Sequence, residues 1–466
     1  MFNKKYTGGN IKGFVVAGTN SGCGKTTISL ALMSYFIKKG YKVAPFKVGP
    51  DFIDSGHHSR ITGVTSRNLD GWMLTKDYNI DCFRRFSSGF DISIVEGMMG
   101  LYDGFSGNSE AGSTAQMAKW NNLPVILVVN AESMARSAAA VVEGFENFDK
   151  DVDFAGVIFN KLGSEGHLQY LTEAMQNNST LPVLGGIIRD EDIEIPERYL
   201  GLVTNDEHIL SERSIEKLAG LIEKNIDIEK LLETIPGFEI NKPPENTELC
   251  EKKVKIAVAK DKSFCFYYQE NIEILKSYGA DIVYFSPMAD KKLPGDIGGI
   301  YLGGGYPELF ADQLSENRDM VKAIKNCSDN EMPIYGECGG FMYLCKAITN
   351  HEDESYSMTG CLPFTLKMLT KLKALGYRDI VLKAETAIGK KGMKAKGHEF
   401  HYSEIVGQDE NVKTAYNVSK RALNTVSSEG YCVNNTIGSY IHLHFGSNPE
   451  VGRCFVEKCL EWKKGH

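Results

Sequence analysis

Short apolar runs alternate with helical patterns through the first half of the chain. Phe14 to Gly18 (FVVAG) reads as a buried strand. Lys25 to Lys39 follows with helical spacing and sets Ile28, Leu32, Tyr35 and Phe36 on one side. Lys38 and Lys39 suit the C-terminal end of its dipole, and Gly40 stops it. Further strands are predicted at Lys42 to Val48, Asp91 to Glu96, Pro124 to Val129 and Phe154 to Phe159, with a helix from Ser133 to Phe148. Near-continuous apolar strands alternating with helices predict a parallel sheet covered on both faces.

The pattern breaks from Ile235 to Lys253, which carries prolines and charges but no apolar period. Alternation then restarts. Strands are predicted at Val254 to Ala259, Asp281 to Ser286, Gly298 to Leu302 and Pro333 to Tyr335, and helices at Tyr268 to Tyr278 and from Phe341 onward. The expected plan is α/β throughout: a first domain over 1–235, a linker over 236–253 and a second domain over 254–466. Each domain is expected to hold a mainly parallel sheet with helices on both faces.

Length agrees with this division, since 466 residues exceed one ordinary domain. Lys plus Arg number 52 against 60 Asp plus Glu, a net charge of −8 that argues against a nucleic-acid-coating protein. No run reaches the ~18 apolar residues of a membrane span, and Met1 to Lys12 lacks the apolar core of a signal peptide. The eleven cysteines form no Cys-x-x-Cys pair, which points to reduced thiols in a cytoplasmic protein.

The junction between the first strand and first helix reads Gly18-Thr-Asn-Ser-Gly-Cys-Gly-Lys25-Thr-Thr27. A helix N-terminus offers free N–H groups and a positive dipole end, so a phosphate loop belongs there. Thr19, Asn20, Gly22, Cys23, Gly24, Lys25, Thr26 and Thr27 are the candidate nucleotide contacts. Gly22 and Gly24 admit phosphate oxygens to the backbone, Lys25 reaches the β- and γ-phosphates, and the Thr26 hydroxyl can ligate Mg²⁺. Five residues, not four, separate Gly18 from Gly24, as in the dethiobiotin-synthetase-like branch of phosphate-loop proteins. The alternative is an ordinary Gly-rich turn.

Mg²⁺ needs oxygen ligands, and Glu96 and Asp51 both follow buried strands at the edge where the phosphates would lie. Solvated loop acids are the alternative for each. Asn160, also at a strand end, could read an adenine edge or cap the next helix.

In the second half, Pro333-Ile-Tyr-Gly336-Glu-Cys338-Gly-Gly340-Phe is a strand, then Gly-x-Cys-x-Gly, then a helix. That is a nucleophile elbow with cysteine as nucleophile. The following helix N-terminus is expected to favour thiolate. Gly303-Gly304-Gly305 upstream supplies N–H groups suited to an oxyanion hole. His442 and His444, in Ser439-Tyr-Ile-His-Leu-His444, both qualify as the base. His398-Glu-Phe-His401 falls one residue short of the zinc-protease motif. Its two histidines could share a helix face, but no third ligand is evident. Lys390 to Lys396 reads as a solvated hairpin.

Together with Pro45-Phe-Lys-Val-Gly-Pro-Asp-Phe-Ile-Asp54, Arg67-Asn-Leu-Asp70, Glu96-Gly-Met-Met-Gly-Leu-Tyr-Asp-Gly104, Gly303-Gly-Gly-Tyr-Pro-Glu308 and Gly397-His-Glu-Phe-His-Tyr-Ser403, these motifs resemble the tetrapyrrole a,c-diamide synthase family, of which cobyrinate a,c-diamide synthases are members. The resemblance runs from Val15 to about Pro449. It implies a class I glutamine amidotransferase fused to a phosphate-loop synthetase. ATP with Mg²⁺ would activate the a and c carboxylates of cobyrinate as acyl phosphates, in cobalamin biosynthesis, and L-glutamine would supply ammonia by a shielded route.

By the same resemblance Cys338 is the glutaminase nucleophile and His442 its base. Phe52, Ile53, Asp54, His57, Asp103, Gly304 and Gly305 are candidate substrate contacts. His444 stands where many class I glutaminases carry a Glu, so a Cys–His dyad is expected. Ni-sirohydrochlorin, in coenzyme F430 biosynthesis, is the alternative substrate. A phosphate-loop switch with an inactive second half is an alternative of another class. The expected partners are a tetrapyrrole carboxylate and L-glutamine, with neither nucleic acid nor membrane; a second copy of the chain is a candidate.

Overall fold

The computed structural model describes residues 11–189, 210–240, 251–407, 412–420 and 426–466. Residues 1–10 of the polar N-terminus and 241–250 of the expected linker, Cys250 among them, lie outside them. The chain divides into two compact units.

The strands of the first unit are β1 (Ile11–Gly18), β2 (Val43–Val48), β3 (Arg67–Leu69), β4 (Ile92–Glu96), β5 (Val125–Asn130), β6 (Phe154–Leu162), β7 (Val183–Ile188) and β8 (Gly237–Phe238). They pair in the order β3-β2-β4-β1-β5-β6-β7, all parallel. Both faces are covered: Val15 and Ala17 of β1 enter one apolar cluster, while Phe14 and Val16 enter another. Antiparallel β8 joins β1 through Phe238 opposite Ile11, so the first sheet draws on residues beyond 235.

Two helices differ from expectation. Helix α1 (Lys25–Lys38) is buried nearly all round rather than on one side, with Ser29, Leu30, Ala31, Met33 and Ser34 enclosed as well. It lies against the sheet and against the helix Glu212–Asn225, whose cover is remote in sequence. The helix predicted from Ser133 begins at Ser137, because Ser133 takes a left-handed φ of 58° that no helix accommodates.

The second unit begins with β9 (Val254–Ala259), β10 (Ala280–Phe285), β11 (Ile297–Leu302) and β12 (Ile334–Glu337). There follow β13 (Ala347–Thr349), β14 (Ser355–Ser357), β15 (Thr365–Met368), β16 (Ala374–Leu382), β17 (Lys394–His401), β18 (Ser403–Val406), β19 (Lys413–Lys420), β20 (Val426–Val433), β21 (Thr436–Ser439) and β22 (Ile441–Leu443). The main sheet runs β10-β9-β11-β12-β21-β20-β19-β16-β17-β22. Its first five strands are mutually parallel: the four apolar runs predicted, joined by β21, which the apolar pattern does not mark as a strand. The remaining pairings are antiparallel.

Only Tyr440 separates β21 from β22, although they sit at opposite ends of the antiparallel series. That half of the sheet therefore curls back on itself, bringing His442 on β22 near the end of β12. A smaller sheet, β14-β13-β15-β18, stands apart. No described helix is long and apolar enough to cross a membrane.

Candidate functional site: a phosphate loop and a cysteine elbow

The loop between β1 and α1 is held from several directions. Gly24 caps α1 at φ 102°, and a Cβ there would stand 2.0 Å from Asn160 Nδ2. The Asn160 amide donates to the Cys23 carbonyl at 2.9 Å, bracing the loop. It does not cap the next helix; Ser164 does that. Lys25 Nζ donates to the Asn20 carbonyl at 3.0 Å, so the resting lysine curls over its own loop, and burial lowers its pKa. Thr19 Oγ1 donates to Asn20 Oδ1, and a Cβ on Gly18 would stand 2.1 Å from Cys23 Sγ. Gly22 faces open space and Thr27 lies in the first turn of α1.

Below the loop lies a charged cluster. Thr26 Oγ1 donates to Glu96 Oε1 at 2.7 Å. The same carboxylate receives Lys47 Nζ at 2.8 Å and contacts His58 Nε2 at 2.7 Å. Lys47 also pairs with Asp54 at 2.7 Å. Burial alone would raise the Glu96 carboxyl, but the Lys47 ammonium and the His58 hydrogen bond outweigh it and hold it ionised. Lys47 mirrors this: burial opposes its charge, and the Asp54 and Glu96 carboxylates more than restore it.

Asp51 Oδ1 accepts from the Ile53 and Asp54 N–H groups, capping helix α2 (Phe52–Thr62), whose first turn also holds Phe52. His57 lies on α2 with its pKa lowered by burial. Asp103 Oδ2 accepts from the Gly100 N–H at 2.9 Å. His58 belongs to the His57-His58 segment that the resemblance offers for substrate, and here its ring meets Glu96 instead; Lys47 carries no role in the sequence reading. The available signal was a lysine inside an otherwise apolar strand.

In the second unit, β12 ends at Glu337, and Cys338 follows it, taking φ 46° and opening the helix Gly339–Leu344. Gly340 must be bare: a Cβ would stand 2.1 Å from the Leu302 carbonyl oxygen. Cys338 N–H donates to the Ser439 carbonyl at 2.7 Å, fastening the elbow to β21. The thiol does not favour ionisation as its helix position suggested. Burial pushes its pKa up, and the Glu308 carboxylate pushes it further. The Gly339 N–H at the start of the helix opposes this, but burial outweighs it.

The Gly-rich turn after β11 contributes selectively. The Gly303 N–H donates to Tyr267 and that of Gly304 to the Phe266 carbonyl. Among the described residues nothing accepts from Gly305 N–H, and a Cβ on Gly339 would stand 2.9 Å from that nitrogen. The Gly305 nitrogen thus lies against the body of Gly339, the residue whose N–H faces the Cys338 thiol.

His442 packs on the same turn, its Cε1 at 2.3 Å from where a Gly304 Cβ would be. It lies opposite His398 on β17, rings stacked at 4.7 Å. Burial lowers its pKa to about 3, leaving a neutral imidazole. His444 is engaged elsewhere: its Nδ1 accepts from Gly446 N–H at 3.1 Å, capping the 3₁₀ turn Phe445–Ser447.

His398 and His401 belong to strand β17, not a helix, so alternation turns them to opposite sides. His401 instead contacts Glu399, which also pairs with Arg378. Among the described residues no group of three or more His, Cys, Asp or Glu could hold a metal. Lys390 lies in the loop of the β16–β17 hairpin, as expected.

Residues 14–203 match the CobQ/CobB/MinD/ParA nucleotide binding domain family. Residues 255–450 match the CobB/CobQ-like glutamine amidotransferase domain family. A relative from Leptospira interrogans, named cobyrinate a,c-diamide synthase, is 43% identical over 96% of this chain and 98% of its own. Relatives of the same name from Priestia megaterium and Methanobrevibacter smithii are 42% and 41% identical, over 97% and 94% of this chain and 97% of each of theirs. With a nucleotide loop in one unit and a cysteine elbow in the other, the chain belongs to the cobyrinate a,c-diamide synthase family.

Proposed function

We propose that the chain amidates the a and c carboxylates of cobyrinate, with ATP to activate the carboxylate and L-glutamine to supply nitrogen. The observation that carries this is the packing of His442 on Gly304, in the turn whose next residue, Gly305, lies against Gly339 at the start of the elbow helix. Cys338 Sγ attacks the γ-carboxamide carbon of glutamine while His442 accepts the thiol proton. The oxyanion receives hydrogen bonds from the Gly305 and Gly339 N–H groups. Collapse expels ammonia, which takes the proton from His442 and leaves a thioester on Cys338. Water then attacks the thioester with His442 again as base, releasing glutamate and the thiol.

In the first unit the phosphates would rest on the loop amides and Lys25, which must first leave the Asn20 carbonyl. The substrate carboxylate attacks the terminal phosphorus, ADP departs, and ammonia displaces phosphate from the resulting acyl phosphate. Mg²⁺ keeps several waters and takes few protein oxygens. The touching pair of Thr26 Oγ1 and ionised Glu96 fits such an ion, with Asp51 as a third candidate. When bound, Mg²⁺ would neutralise charge on the transferred phosphoryl group. Asn160 would act by bracing the loop. Phe52, Ile53, Asp54, His57 and Asp103 are proposed for the tetrapyrrole side of the site. We place the enzyme in the cytoplasm.

The relatives' shared name favours cobyrinate over Ni-sirohydrochlorin. The test is incubation with ATP, Mg²⁺, glutamine and either macrocycle, followed by mass spectrometry. Two amidations of cobyrinate are expected. Amidation of Ni-sirohydrochlorin alone would overturn the assignment.

A further inference from the structure

Glu308 follows the Gly-rich turn directly, in the 3₁₀ turn Pro307–Phe310. Pro307 is pressed against the start of the elbow helix: a Cβ on Gly339 would stand 2.9 Å from Pro307 Cδ. Glu308 is thereby held beside Cys338, close enough for its charge to disfavour the thiolate. Its Oε2 is buried and has no hydrogen-bond partner among the described residues. Burial pushes the carboxyl up to about 7. A buried carboxylate oxygen without a donor is costly, and a negative charge beside a nucleophilic thiol is a handicap. Both disadvantages vanish if the missing partner arrives with the substrate as a cation.

We propose that Glu308 is the counter-ion for the α-ammonium group of glutamine. This rests on the glutaminase role proposed for Cys338. With the γ-carboxamide at the thiol, the α-ammonium is the one cationic group that glutamine carries. Its N–H donors satisfy Glu308 Oε2 by a charge-assisted hydrogen bond. Pairing also cancels the Glu308 charge, which adds to burial in disfavouring the thiolate, so arrival of the correct amide removes one of the two obstacles to ionising Cys338. An amide without the ammonium meets both an unpaired carboxylate and an inert thiol.

The test compares hydrolysis of L-glutamine with that of its des-amino analogue, 4-carbamoylbutanoate, by the full chain and by Glu308→Gln. Ammonium-dependent amidation by the same preparations reports how much enzyme is folded. The wild type should prefer L-glutamine in kcat/KM by about 10- to 100-fold, the scale of one hydrogen bond to a charged group. In E308Q that preference should collapse, through a loss on L-glutamine and a gain on the des-amino amide, which no longer meets an unpaired carboxylate beside the thiol. Retention of the full preference in the variant would overturn the proposal. So would equal use of both amides by the wild type, which needs no variant. A wild type that hydrolyses neither amide but amidates with ammonium removes the glutaminase role itself, and the role of Glu308 with it.

Discussion

Glu337 Oε1 accepts a hydrogen bond from the Leu443 N–H at 2.9 Å, tying the residue before Cys338 to the residue after His442. The Tyr301 and Tyr335 hydroxyls donate to the same carboxyl. Nucleophile and base thus share a single side-chain brace.

That brace gives a pH prediction. Burial pushes the Glu337 carboxyl up to about 7 from an ordinary 4.5. A raised folded-state pKa means the native state binds the proton more tightly. The stabilisation is complete below about 4.5 and is lost as pH rises through about 7. Glu337→Gln cannot ionise. Whatever its fixed cost, the stability gap to wild type should move in favour of the variant by on the order of 3 kcal/mol between pH 5 and pH 8. Urea unfolding at the two pH values measures it; a constant gap would contradict the assignment.

Cys338→Ala should abolish glutamine-dependent amidation and spare amidation driven by high ammonium salt. The reason is chemical: the thiol forms the thioester, whereas the acyl phosphate arises elsewhere. Product formation with each nitrogen source decides it, and normal turnover on glutamine would exclude Cys338 as nucleophile.

Lys25→Ala should remove synthesis with both nitrogen sources, because both require the activated carboxylate. Wild-type rates with ammonium in this variant would locate phosphate binding away from the loop.

His442→Ala should lower the glutaminase rate by about 10²–10⁴, the scale of losing a general base. His444→Ala should affect stability more than rate, since its ring caps the turn Phe445–Ser447. Kinetics and melting of the two variants separate these roles; a larger rate loss at His444 would exchange them.

Continuous apolar runs such as Phe14 to Gly18 and Val125 to Val129 made the parallel strands legible, because both of their faces are buried. The antiparallel half was not legible. Its strands, such as Lys394–His401, mix lysine, glutamate and histidine with few apolar residues, and their partners are remote in sequence. Cys338 and Lys25 were visible because each sits in a local strand–turn–helix pattern. The roles of Glu308, Glu337 and Lys47 were not, nor was the contact of His58 with Glu96. Burial of a charged side chain is decided by what folds over it, and that leaves no mark on neighbouring residues. Nor did spacing choose between His442 and His444, which are set apart by the capped turn that begins after Leu443.

The φ of 46° at Cys338 has a further consequence. A non-glycine residue held there costs about 1–3 kcal/mol of strain. The position proposed to hydrolyse glutamine is therefore one that the fold, left to itself, would give to glycine. Cys338→Gly should melt later than the wild type while hydrolysing nothing. Thermostabilising this chain without assaying it would reward that exchange, so stability screens on enzymes of this plan would select against their own chemistry at the elbow.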